Sequence, residues 1–169
     1  MSRLRSRLRA LSFSLALVAF FAIAAKLTEH GTIGFDMAVM SLVYSWDHPA
    51  MVGLMKRVTL LGETWFLAYV TVAVMGVLAV KKKYKDAYFL ALTGIGAGLL
   101  NRLLKNVFER TRPDFHQFVD ISGYSFPSGH AMGSIVVYGM LAYFVSISKV
   151  SQPVKRTFVG AVSVLILHI

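Results

Sequence analysis

"FPSGHAMGSIVVYGMLAYFVSI", Phe126–Ile147, changes character at Ala131. The part from Ala131 to Ile147 carries no charge and reads as a helix crossing a bilayer. The part before it holds Pro127, Ser128, Gly129 and His130. Proline and glycine punctuate the backbone, while serine and histidine carry donors, acceptors and a transferable proton. At the threshold of an apolar helix, these four residues read as a site at a membrane surface.

The rest of the chain fits that setting. Of its 169 residues, 56% are hydrophobic, and the mean hydropathy is +0.63. A soluble domain of this size rarely needs so much apolar surface, so a membrane protein is the first inference. The length is that of one domain, residues 1–169. The formal net charge is +10. The basic residues lie between apolar runs instead of forming one stripe, which points to membrane lipids and anionic substrates and away from nucleic acid. Without cysteine, disulfides and thiolate metal sites are excluded.

Five apolar segments are predicted to span. Arg3, Arg5, Arg7 and Arg9 lead into Leu11–Ala25. That pattern fits either a cleaved signal peptide or a first membrane helix, and the spans that follow favour the uncleaved helix. Thr64–Val80 and Ala87–Leu100 come next, with Glu63 near one end of the former. Ala131–Ile147 is the fourth, and Thr157–Ile169 is shorter than the ~20 residues a span needs. Between the first two, Phe35, Val39, Leu42 and Trp46 recur at helical spacing. They fit a helix on the membrane surface or one packed on the bundle. Pro49 is expected to open another short helix. The fold class is therefore all-α, a polytopic helical bundle with short interfacial helices.

Basic turns set the expected orientation. The N-terminus, Lys81–Lys85 and Lys149–Arg156 fall on one side, which should be cytoplasmic. The loops 26–58 and 106–127 then face outward. In the third span, "TGIGAG", Thr93–Gly98, places Gly94 and Gly98 where another helix can approach closely.

"KNVFERTRP", Lys105–Pro113, closes the third span on the outer side. On a continued helix Lys105 and Arg112 share one face, and Pro113 is expected to end that helix. Taken alone, the two cations could simply snorkel to headgroups. Across the outer loop, a fourth helix starting near Ser125 or Pro127 would aim unpaired N–H groups outward. Gly129 leaves room for an oxyanion, Ser128 adds a hydroxyl, and His130 can donate a proton near neutral pH. Lys105, Arg112, Ser128, Gly129 and His130 together make a cradle for a tetrahedral anion with an acid beside it.

Lys105, six residues, Arg112-Pro113, and then Pro127-Ser128-Gly129-His130 resemble the first two signatures of the phosphatidic acid phosphatase type 2 superfamily. The likeness extends from about Phe35 to the end of the chain. It implies a membrane phosphatase that acts on a lipid phosphate or diphosphate without a cofactor or metal. Lys105 and Arg112 would bind phosphate oxygens, Ser128 and Gly129 would complete the pocket, and His130 would be the general acid. Pro113 and Pro127 would be motif scaffold. A second histidine would act as nucleophile through a phosphohistidine. The family's third signature is Ser-Arg, five residues, His, three residues, Asp, and it has no counterpart after His130. His168 lacks both the Ser-Arg and the Asp. The expectation is a C-terminally truncated family fold, inactive as it stands. The other reading is a catalytically silent membrane protein that binds anionic lipid or phosphate. His30, His48 and His116 lie in loops without metal-ligand spacing and read as surface residues. Oligomeric state leaves no mark on the sequence.

Overall fold

The structure, a computed structural model, describes residues 2–30, 34–45, 48–112 and 123–169. Their regular elements are helices: α1 (Ser2–His30), α2 (Gly34–Tyr44), α3 (Pro49–Leu60), α4 (Thr64–Val80), α5 (Tyr84–Phe108), α6 (Gly129–Ile147) and α7 (Gln152–His168). A helix stands at each of the five predicted places. Three of them, in α1, α5 and α6, are long and apolar enough to cross a membrane. A fourth span results if α3 and α4, which meet at a 48° bend, count as one. No more than 17% of any of the three qualifying windows is buried in the protein. Apolar helix faces so open are compatible with lipid and not with water.

The interfacial region follows its local signals. Pro49 sits in the first turn of α3, and His48 caps that helix, its Nδ1 accepting from the Ala50 N–H at 3.3 Å. Val39 and Leu42 on α2 are exposed. Trp46, Pro113 and His116 lie outside the described residues.

The chain divides into two compact units, residues 1–45 with 106–126, and residues 46–105 with 127–169. In the first, Phe20 of α1 stacks on Phe126 at 5.5 Å and meets Phe108 edge-on at 6.0 Å. Phe108 and Phe126 close the triangle at 5.3 Å. Aromatic packing of this kind replaces hydrophobic burial as the source of cohesion where the surroundings are lipid.

In the second unit α6 is the central helix, packed on α4 and on α7. Leu67, Val137 and Tyr138 form one core, with Val162, Leu165, Ile166 and Ile169 against it. Leu78, Ala87 and Leu90 form another, with Met140 and Phe144. The latter holds the foot of α5, beside the basic turn. There α4 ends in a six-residue wrap: the Lys83 N–H donates to the Leu78 carbonyl at 2.8 Å and the Lys82 N–H to Ala79 at 2.9 Å. Lys82 takes the left-handed conformation, φ 56°, that such a cap requires.

Two expectations about helix ends need correction. The third span stops at Phe108, not at the proline after Arg112, with Glu109 at φ 44°. Arg112 is therefore not on the helical face of Lys105. The reason is a competing set of bonds. The Ser125 N–H and Oγ both donate to the Arg110 carbonyl, at 2.8 and 3.1 Å, and Oγ also to Thr111 at 3.0 Å. The fourth span begins at Gly129, not at Ser125 or Pro127, with Ser128 as its N-cap.

Candidate functional site

The tip of α6 carries the Ser128, Gly129 and His130 of the candidate site. Ser128 has extended backbone, φ −65° and ψ 121°, and its Oγ accepts from the Ala131 N–H at 3.2 Å. That bond satisfies one of the orphan amides at a helix start and leaves others for an anion. The Ser128 hydroxyl proton remains free to donate. Pro127 is buried just outside the helix, and Ser128 is exposed.

Asn101 of α5 braces this tip from the side. Its Nδ2 donates to the Pro127 carbonyl at 3.2 Å and lies 3.2 Å from the Met132 sulfur. A carbonyl only accepts, so the NH₂ of the amide faces Pro127. Its Oδ1 faces Gly129, where an added Cβ would stand 3.3 Å away. A methyl at 129 would crowd the Asn101 amide, which would have to yield by a few tenths of an ångström. Lys105 follows Asn101 by one helical turn on the same face. Arg112 belongs to the first unit, where its Nε donates to the Gly123 carbonyl at 3.2 Å.

His130 meets the short connection between α3 and α4. Its Nε2 lies 3.3 Å from Glu63 Oε1. That nitrogen is buried and has no aligned hydrogen bond among the described residues, so the pair is in contact without being a formed bond. Gly62 is buried against the ring: an added Cβ would stand 3.0 Å from His130 Cδ2 and would strike Ile169. One turn along α6 from His130, Ser134 is fully buried with its Oγ unpartnered among the described residues. One turn further, Tyr138 donates its hydroxyl to the Leu61 carbonyl at 2.7 Å.

Below the tip an apolar groove of about 570 Å³ runs between α4, α5 and α6. Asn101 and Gly129 line its upper end, and Met75 and Ala91 its lower end. Gly94 and Gly98 line its middle, and a Cβ on either would meet nothing within 4 Å. The glycines expected to draw a helix in therefore border open space. The physical reason is that α5 is pinned at its foot by Leu90 and at its head by Asn101, while α6 spends its facing surface on α4 and α7.

His168 is exposed, with Nδ1 2.8 Å from the Val164 carbonyl of its own helix. Reading the sequence gave no role to Glu63 or Asn101. Their signals were present but weak: an acid at the edge of a span, and an amide one turn before Lys105.

Residues 86–168 match the PAP2 superfamily. The chain is 31% identical over 151 residues to phosphatidylglycerophosphatase B of Bacillus subtilis, covering 87% of this chain and 74% of that protein. It superposes with a TM-score of 0.82 on the crystal structure of a transmembrane PAP2-type phosphatidylglycerolphosphate phosphatase from Bacillus subtilis. Identity there is 30%, over 91% of this chain and 78% of that one.

Proposed function

Because the chain belongs to the PAP2 superfamily, we propose that it is a multi-pass membrane protein whose site takes a lipid phosphate at the outer membrane face. Lys105 and Arg112 hold phosphate oxygens, the one as a point charge and the other as a planar fork. Ser128 and the Gly129 amide complete the cradle. His130 acts as general acid, passing its proton to the oxygen that leaves phosphorus. The family's attack by a second histidine gives a phosphohistidine that water then cleaves.

The observation that carries this reading is the join between site and groove. The capped tip of α6 and the Asn101 brace stand directly above an apolar channel. An anion at the tip and a hydrocarbon chain in the channel would belong to one amphiphile, which favours a phospholipid of the phosphatidylglycerophosphate kind over a soluble ester. The basic turns at Lys81–Lys85 and Lys149–Arg156 support a cytoplasmic N-terminus and an outward site.

The third family signature has no counterpart in residues 1–169. On this reading residues 1–169 bind substrate without turning it over. The test uses the purified chain in mixed micelles with phosphatidylglycerophosphate, measuring lipid binding and inorganic phosphate together. Binding with no release above background is expected. Release that His130→Ala abolishes would show that these residues supply their own nucleophile, and absence of lipid binding would overturn the site.

A further inference from the structure

The α3–α4 connection is only Leu61, Gly62 and Glu63, and all three engage α6. Leu61 offers its carbonyl to Tyr138 at 2.7 Å. Gly62 is bare where His130 presses on it. Glu63 brings a carboxylate oxygen to 3.3 Å from His130 Nε2.

Glu63 has another task open to it. It is the N-cap of α4, with extended backbone at φ −62° and ψ 140°. The short acceptors Ser, Thr, Asp and Asn turn back there to bond the free amides of the first turn, and the longer glutamate is less suited to it. Glu63 makes no such bond. Its carboxylate is directed away from its own helix, toward the histidine. The 48° bend between α3 and α4 is what carries it there.

We infer that Glu63 is the positioning residue of His130, its carboxylate facing Nε2 so that the proton is delivered from Nδ1. The inference rests on the reading of His130 as the general acid. A carboxylate on one ring nitrogen fixes the tautomer and orientation of the ring, and it stabilises the imidazolium while the other nitrogen does the chemistry. In the step, the Nδ1–H bond breaks and the proton passes to the leaving lipid oxygen, which keeps the electron pair of its broken bond to phosphorus. The ring is left neutral, with Nε2–H facing Glu63. Hydrogen bonds of catalytic pairs commonly tighten in the complex with substrate. Tyr138 acts one level further out. By holding Leu61 it keeps the connection, and so the carboxylate, against α6.

The experiment is ¹⁵N NMR of the histidine-labelled chain in detergent micelles, with and without orthovanadate as the phosphate probe. His130 is assigned by the signal that His130→Gln removes from the five histidines. In the unaltered chain His130 should be the Nε2–H tautomer, and vanadate should shift Nδ1 more than Nε2. Glu63→Met, which keeps a side chain of similar length without an acceptor, should lose the tautomer preference. Glu63→Asp, which keeps the charge, should restore it in part. Helical content by circular dichroism is the control for folding. A larger vanadate shift at Nε2 in the unaltered chain would overturn the assignment without any variant. An unchanged His130 tautomer in Glu63→Met would overturn it too. In either case a tenfold loss of vanadate affinity in Lys105→Ala would leave the phosphate pocket standing. If vanadate affinity ignores both Lys105→Ala and His130→Gln, it is the pocket itself that fails.

Discussion

Gly94 and Gly98 on α5 and Gly129 and Gly133 on α6 have the same spacing and line the same groove, yet they do opposite things. A Cβ on either α5 glycine would meet nothing within 4 Å. On α6, a Cβ at Gly129 would stand 3.3 Å from Asn101 Oδ1, and one at Gly133 would stand 2.7 Å from Leu67 Cδ1. Spacing decides which residues share a helix face. Whether that face is filled depends on what another helix brings to it. Leu67 of α4 fills one, and no described residue fills the other.

The largest effect should come from the crowded pair. Gly133→Ala puts a methyl into the buried Leu67 side chain, and overpacking of this kind costs ~1–3 kcal/mol, of which helix propensity offsets up to ~1 kcal/mol. Thermal unfolding in detergent should fall accordingly, and an unchanged midpoint would mean that α4 and α6 are looser than described. Next comes filling the open face. Gly98→Leu should lower the affinity for a long-chain lipid phosphate by about tenfold, or ~1.4 kcal/mol, and leave orthovanadate affinity unchanged. Equal losses for both ligands would mean that the groove does not hold the chain of the lipid.

Tyr138→Phe removes one part-buried hydrogen bond between α6 and the Leu61 carbonyl, worth ~1 kcal/mol. Its melting temperature should drop less than that of Gly133→Ala. The smallest effect belongs to Gly94→Ala. With no neighbour to strike, it should be neutral or gain up to ~1 kcal/mol from helix propensity. A destabilised Gly94→Ala would restore the close-packing role that the sequence suggested.

The contrast also marks what the chain discloses before it folds. The helices at the five predicted places were legible because an apolar run such as Ala131–Ile147 has one sensible home, although only three or four of them qualify as spans. The start of α3 was legible from Pro49, whose fixed φ suits a first helical turn. The end of α5 at Phe108 is hidden in the sequence because Pro113 is the visible breaker. The bonds from Ser125 to Arg110 and Thr111, which compete with the helix, join residues far apart in sequence. The site shows the same division. Ser128, Gly129 and His130 are contiguous and stand out as candidates, whereas the helical face expected for Lys105 and Arg112 is lost because α5 stops at Phe108. Glu63 and Asn101 reach the tip from other helices, and only tertiary packing brings them there.

The central claim is that Lys105 and Arg112 serve the same anion as the tip of α6. It is tested most directly by titrating the purified chain with orthovanadate, beside Lys105→Ala, Arg112→Ala and Ser128→Ala. Charge-assisted hydrogen bonds are worth ~1.5–3 kcal/mol, so each cation variant should bind at least ~10-fold more weakly, and Ser128→Ala should bind a few-fold more weakly. Vanadate binding that is indifferent to both cations would contradict the account.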